Sequence, residues 1–392
     1  MKFLDLFAGV GGFRRGMELA GHTCVGFCEW DKYATASYTS MHLITEEQRR
    51  KLRDLPLKQR QTEILKEEYR NGEWYSADVR SIRGDSIPRA ECWCFGAPCQ
   101  DFSVAGQRAG LGGGRSALVR EVFRILSEIK EEDRPEWLIY ENVKGMLSSN
   151  RGLDFLAILL EMDELGYDTE WEIFNTKNFG VPKNRERVYT IGHLRARGER
   201  KVFPLKGTVG EDSICEVNQI GMQKSHRTNP SRYRVYDTAG ISPCLTCMGG
   251  AGLEPHIPIM FGIDFNKAGE ERPIANCLKA RYNAGVTNFR QDGTAVAITV
   301  NEKPPAYAVW YEKYKCYIAI RKLTPKECFR LQGWTDDYFA KAEFVNSDSQ
   351  LYKQAGNGVT VDVVEEIGKA IRRIIDRNRV EREVKENDYD IT

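Results

Sequence analysis

The chain opens on a short apolar stretch, KFLDLF (2–7), that is broken at once by Gly9, Gly11 and Gly12. GFRRGMELAGH then reads as a helix, and CVGFCEW (24–30) as a second apolar run that ends on a carboxylate. A strand, a glycine turn, a helix and a strand in immediate succession leave few folding options. Parallel strands need a crossover, and a helix packed on the sheet is the usual one. The alternation continues, with strands expected at ECWCFGA (91–97), EWLIYEN (136–142), YDTEWEIF (167–174) and RVYTIGHL (187–194), and with helices at 115–130 and 153–166. The pattern predicts a parallel sheet covered by helices.

Segment 45–73 departs from it, being charge-dense and mixed in sign; it is expected to be a helical, solvated surface insertion. From about 195 to 316 the chain is irregular and rich in Gly, Pro, Asn and Thr. Order returns with LTPKECFRLQGW and an amphipathic helix over 359–377, followed by a charged tail, 378–392, expected to be poorly ordered.

Composition excludes several classes. The net charge of +1 provides no global field toward nucleic acid or anionic membrane, so any nucleic-acid site has to be a local patch. No segment approaches the roughly 20 apolar residues of a membrane span. Eleven cysteines at irregular spacings do not suggest a disulfide framework, and a reduced, cytoplasmic protein is expected. Cys244 and Cys247 form a CxxC with no second pair to complete a zinc site, so no metal is expected.

The glycine turn after the first strand suits a ligand that approaches backbone N–H groups closely. Glu29, closing the second strand, is placed to accept hydrogen bonds from ribose hydroxyls, and Trp30 offers a flat face to a purine. Arg14 stands where the dinucleotide fingerprint needs its last glycine, so the turn fits a nucleoside without a pyrophosphate, and S-adenosylmethionine better than NAD. Asp78 reads equally as an adenine contact or as an ordinary turn aspartate. YENV (140–143) puts Glu141 and Asn142 at the carboxyl end of a buried strand, the edge where open α/β sheets place their sites. Arg185 and Arg187, on alternate positions, share a face if extended. CWCFGAPCQDFSVAG (92–106) ends an apolar run on Pro98-Cys99, either a buried strand with small sulfur side chains or a nucleophile at a strand end.

These pieces occur in one order, and the chain resembles the C5 cytosine-specific DNA methyltransferases over nearly all of 1–200 and 320–375. DLFAGVGGFRRG is similar to the family's first cofactor motif and Glu29-Trp30 to its second. GAPCQDFS resembles the catalytic Pro-Cys loop, ENV the acidic motif and NRERVYTIG the arginine motif. RKLTPKECFRLQGW and QAGNGVTVDVVEEI resemble the motifs that follow target recognition. Two departures stand out: Lys183 replaces the usual Gln before the arginines, and Gly358 the usual Ser of Gly-Asn-Ser.

The resemblance implies a Rossmann-like S-adenosylmethionine-dependent α/β sheet with helices on both faces. A smaller, irregular, mostly β target recognition domain would accompany it. The expected divisions are a catalytic and cofactor-binding region 1–194, target recognition 195–316, a return to the catalytic domain at 317–377, and the tail. The resemblance further implies Cys99, Glu141, Arg185 and Arg187 as catalytic residues. It puts Phe7, Gly9, Val10, Gly12, Glu29, Trp30, Asp78, Val79, Gly96, Pro98, Leu118, Asn357 and Val359 at S-adenosylmethionine. Ser103 is expected near DNA, and so are Arg227, Arg232 and Arg234, because 195–235 carries nine Lys/Arg against four acids. The expected partner is double-stranded DNA, bound by a monomer associated with the nucleoid, with a cognate restriction endonuclease as a functional partner. The implied alternatives are a tRNA cytosine-C5 methyltransferase, disfavoured by the long segment 195–316, and a catalytically inactive DNA-binding relative, disfavoured by retention of the cysteine, glutamate and arginines.

Overall fold

The structure, a computed structural model, describes residues 1–98, 118–198, 200–205 and 323–389; from 206 to 322 it describes only the backbone of short strands, and side chains after residue 380 are not described. The main sheet holds β1 (Lys2–Leu6), β2 (Thr23–Cys28), β3 (Trp74–Ser76), β4 (Cys92–Phe95), β5 (Trp137–Val143), β6 (Tyr167–Asn175) and β7 (Glu186–Leu194). Their spatial order is β3-β2-β1-β4-β5-β7-β6. β3 to β5 pair in parallel, as the alternating pattern predicts. β7 does not follow that prediction: it slots between β5 and β6 antiparallel to both. The cause is the connection, since only a short segment (176–185) joins β6 to β7, and a parallel return needs a crossover of a dozen or more residues.

The strands alternate between two buried faces, so helices cover both sides. Leu4, Leu6, Trp93, Phe95, Leu138 and Tyr140 pack toward α5 (Leu118–Glu128) and α6 (Leu153–Glu164). Phe3, Cys92, Cys94, Trp137 and Ile139 pack the other way, against α1 (Gly12–Leu19) and the carboxyl-terminal helix. Two glycines of α1 bring that last helix close. A Cβ at Gly12 would lie 2.6 Å from the Val359 carbonyl oxygen, and one at Gly16 2.6 Å from Val364 Cβ. The last helix runs over Val361–Tyr389, well past the boundary expected at 377. The extension, RNRVEREVKEN, has neither Gly nor Pro and is mostly Arg, Glu and Lys, which favour a helix. Among the described residues no helix is long and apolar enough to cross a membrane.

Three short helices, α7 (Pro325–Arg330), α8 (Asp336–Glu343) and α9 (Asp348–Asn357), precede the last helix. Thr324 and Glu327 form a capping box at α7, with Pro325 at its first position, as TPKE foretells. Phe329, Trp334, Phe339 and Leu351 of this group share a core with Val10 and Met41. After α2 (Lys32–Tyr38), the 45–73 segment is helical, with α3 (Glu46–Arg53) and α4 (Leu57–Glu63), but it is not merely solvated. Leu52, Ile64 and Tyr69 pack on Ala36 and Val345, and the charge density hides this small apolar face. Arg60 pins the segment: its guanidinium donates to the carbonyls of Leu52, Arg53, Leu55 and Phe344 and stacks on the Phe344 ring at 4.1 Å.

Arg60→Ala should therefore destabilise the fold by about 2 kcal/mol, because it strands several carbonyls at once. Arg60→Lys should recover little, since an ammonium lacks the planar fork. Thermal unfolding measures both, and an unchanged midpoint for Arg60→Ala would mean that the apolar face alone holds the insertion.

Candidate active site

The carboxyl ends of β1, β2, β4 and β5 form one edge of the sheet. The glycine turn leaves β1 there, with Phe7 at φ +57°, Gly9 at +58° and Gly11 at +86°. A left-handed Phe7 costs about 1–2 kcal/mol, and strain of this kind is held where the surrounding structure over-determines it. Glu29, at the end of β2, closes over the turn. Its Oε2 accepts from the Gly9 N–H at 2.7 Å and its Oε1 from the Asp31 N–H at 2.7 Å. Burial raises its pKa above the ordinary carboxylate value, and the two N–H donors act in the opposite direction. Each carboxylate oxygen retains a further lone pair for a hydroxyl donor.

Trp30 beside it is 68% exposed, a large apolar surface left open next to the turn. The Arg80 guanidinium lies 5.0 Å from the centre of its ring. Arg80 also forks onto Asp78, with contacts of 2.7 to 3.0 Å, and this pairing depresses the Asp78 carboxyl. Asp78 in addition caps the helical turn Val79–Ser81 through the Arg80 N–H. It is thus a turn aspartate, and its oxygens have acceptor capacity left over. The sequence reading overlooked Arg80; its offset of two from Asp78 in DVR was the available signal.

A wall of charge stands at the neighbouring strand end. Glu141 is 8% exposed, with Oε1 3.1 Å from Arg187 Nε and 3.8 Å from Arg185 Nη2. The pairing register puts Val143 opposite Arg187, so the antiparallel course of β7 delivers its first residues to the edge where β5 ends. Arg185 reaches further, donating from Nη2 to the Gly358 carbonyl at 2.9 Å, while its own N–H is held by Asn175 Oδ1. Arg187 donates to the Glu186 carbonyl. Lys183 is fully buried in the same wall. At Gly96, after β4, the chain passes close to the glutamate: a Cβ there would sit 3.3 Å from Glu141 Oε2. Asn142 turns away to Tyr140 and to its own strand end, donating to the Tyr140 hydroxyl at 2.6 Å.

The remaining positions are less uniform. Val10 is buried among Met41, Phe329 and Trp334, so only its backbone borders the turn. Val79 is buried in the core beneath α5, and Leu118 packs against that core. Gly12 and Val359 meet backbone to backbone, Asn357 is exposed at the end of α9, and Pro98 is partly buried. Cys99 and Ser103 lie outside the described residues, as do Arg227, Arg232, Cys244 and Cys247. Of the strand Arg234–Tyr236 only the backbone is described. Part of the basic excess over 195–235 is neutralised within the chain: Arg195 pairs with Asp163 and Asp168, and Arg200 with Glu136. Arg14, read only as a missing glycine, is buried and joined to Glu18 at 2.8 Å and Glu73 at 2.5 Å, which ties the end of the insertion to α1.

Turn, carboxylate, open indole and glutamate–arginine wall together suit a nucleoside-bearing ligand beside a planar base. The chain is 29% identical to the orphan methyltransferase M.SPBetaI of Bacillus phage SPbeta, covering 94% of this chain and 96% of that one. It is equally 29% identical to the type II methyltransferase M.HpaII of Haemophilus parainfluenzae, over 94% and 88% of the two chains. Among solved structures, the Entamoeba histolytica methyltransferase EhMeth superposes with a TM-score of 0.59 at 15% identity, covering 96% of this chain and 98% of the other. The S. pombe Dnmt2 methyltransferase superposes with a TM-score of 0.57 at 17% identity, over 95% and 99%, and both share the fold. The sequence pattern of C-5 cytosine-specific DNA methylase spans residues 1–373, and the chain belongs to that family as a DNA cytosine-5-methyltransferase.

Proposed function

We propose that the chain takes the methyl group from S-adenosylmethionine, delivers it to a cytosine flipped out of a specific duplex sequence, and uses Cys99, Glu141, Arg185 and Arg187 to do so. The observation that carries this reading is the meeting of the Glu29-held glycine turn with the Glu141–Arg187 pair at one sheet edge.

The cofactor fits the residues present. Gly9 leaves open space on its Cα, Glu29 has lone pairs for ribose hydroxyls, and Trp30 presents an open face to adenine. S-adenosylmethionine would supply an electrophilic methyl on a sulfonium. Phe7, Gly9 and Gly12 would border its methionine part, with the Val10 backbone, and Gly96, Pro98, Leu118, Asn357 and Val359 would close the pocket.

Cytosine C5 is a poor nucleophile, so the protein has to activate the ring. The Cys99 thiol gives up its proton, and the thiolate forms a bond to C6 while the ring's electron pair moves to C5. Glu141 holds N3 and the exocyclic amine, where charge develops as sulfur adds, and Arg187 supports O2. Once C5 is methylated, loss of its proton returns the electron pair, the C6–S bond breaks and Cys99 is released. C6 is unreachable within the stack, so the base has to be extruded, at a cost of a few kcal/mol. Arg185, buried between Glu141 and Gly358, acts as a positioning residue for this wall. The segment 195–316 is assigned to reading DNA. The type II and orphan names of the relatives fit a modification enzyme with a cognate endonuclease, or a phage enzyme without one.

Incubation with tritiated S-adenosylmethionine and either unmethylated genomic DNA or total tRNA, followed by bisulfite sequencing, tests the whole reading. Label is expected in DNA, at C5 of cytosine within one motif; label only in RNA, or at adenine, overturns it. Cys99→Ser should abolish transfer while DNA binding survives, as read by mobility shift. Glu141→Gln should lower kcat by about 100- to 1000-fold, the usual effect of losing one charge-stabilising contact in the transition state. Near-normal turnover would remove Glu141 from the reaction.

A further inference from the structure

The glycine turn rests on a buried imidazole. After α2 (Lys32–Tyr38) the helix widens into a π turn, Thr39–Leu43, a rare feature that gathers at functional sites. His42 on that turn points beneath the loop, with Nε2 3.0 Å from the Val10 carbonyl oxygen. A carbonyl only accepts, so Nε2 carries the proton and donates. Gly11 is pressed onto the same ring: a Cβ there would lie 2.5 Å from Nε2 and 3.0 Å from the Tyr38 ring. The Gly11 N–H turns back to the Ala8 carbonyl at 2.8 Å. The turn is thus gripped at two peptides, Ala8–Gly9 by Glu29 and Val10–Gly11 by His42.

The ring is itself boxed in. Tyr38, Tyr338 and Trp334 surround it, with centroids 4.9, 5.4 and 6.0 Å away. Two of these belong to the segment after the recognition region, so His42 couples that segment to the turn. Burial, together with the cations Arg14, Arg15 and Lys341, holds it well below the ordinary histidine pKa, and the bond to the Val10 carbonyl acts in the opposite direction. An imidazole kept neutral can remain a fixed single donor across the working pH range.

We propose that His42 is a positioning residue for the cofactor: its Nε2–H fixes the Val10–Gly11 peptide and so preorganises the turn that receives S-adenosylmethionine. The inference rests on reading that turn as the cofactor site.

Titration calorimetry with S-adenosylmethionine and S-adenosylhomocysteine tests it, with DNA affinity and thermal unfolding measured alongside. His42→Phe, which fills the space without the donor, should weaken both ligands by about tenfold, the worth of one well-placed hydrogen bond, and leave DNA affinity within about twofold. His42→Gln, which restores an amide donor, should recover most of the loss. A folded His42→Phe protein that binds both ligands as the unaltered protein does overturns the proposal. If that variant fails to fold, nitrogen-15 NMR of His42 in the unaltered protein decides: a neutral Nε2–H tautomer between pH 5 and 8 is expected, and an Nδ1–H tautomer or an imidazolium overturns it. Failure of the unaltered protein to bind either ligand would remove the cofactor reading itself, and the inference with it.

Discussion

The contact between the first helix and the last is the constraint on which the rest depends. Gly12 and Gly16 remove the side chains that would otherwise keep the two apart, and Val359 and Val364 fill the space. Close packing of this sort tolerates no added methyl without movement of the backbone. It also fixes where the chain's distant ends meet: the turn that starts α1 lies against the segment that starts the last helix. Val10 then shares a core with α7 to α9, and His42 bridges the same two regions. Residues separated by most of the sequence thereby frame one edge of the sheet.

A second dependence runs through Arg185 and the buried polar groups around it. Its guanidinium links Glu141 of β5 to Gly358. Close by, Thr176 and Thr360 lie 3.2 Å apart, and Thr360 donates to Gln332. A buried ion pair is costly unless its remaining donors and acceptors are met, so a wall of this kind is worth having only where geometry matters more than stability. Glu141 is held by charge on one side, and Gly96 lets the backbone pass close to it on the other. This combination fixes the carboxylate while leaving it beside the chain that leads to Cys99.

Much of this was legible in the residues. Apolar runs of strand length and the glycine turn announced β1, β2, β4 and β5, because a two-residue period and a broken helix start are local properties. Glu29 and Glu141 were legible for the same reason, as carboxylates that close apolar strands. β3 was not, since a three-residue strand leaves no period to read. The apolar face of the 45–73 segment was hidden by its charges, and Arg60, which anchors it, looks in sequence like any surface arginine. Asp5 is a lone charge within an apolar run, yet it is fully buried, with Oδ2 accepting the Arg14 N–H and its pKa pushed well up by burial. His42 carried no signal, because nothing in SMHL marks a π turn.

The sequence by itself determined the longer strands and helices of the first half, the glycine turn and the chemistry available to the chain: a thiol after a proline, two strand-closing carboxylates and a pair of arginines. Motif order was enough for the family, since such types and spacings recur together only where one reaction needs them. Tertiary structure decided the rest. The antiparallel course of β7 carries Arg185 and Arg187 to the edge where Glu141 stands; a parallel strand would have left them at the opposite end of the sheet. The pairing of Arg14 with Glu73 and of His42 with Val10 likewise depends on contacts between segments remote in the chain. Local patterns specify local conformation, but which side chains meet is set by how the layers close on one another.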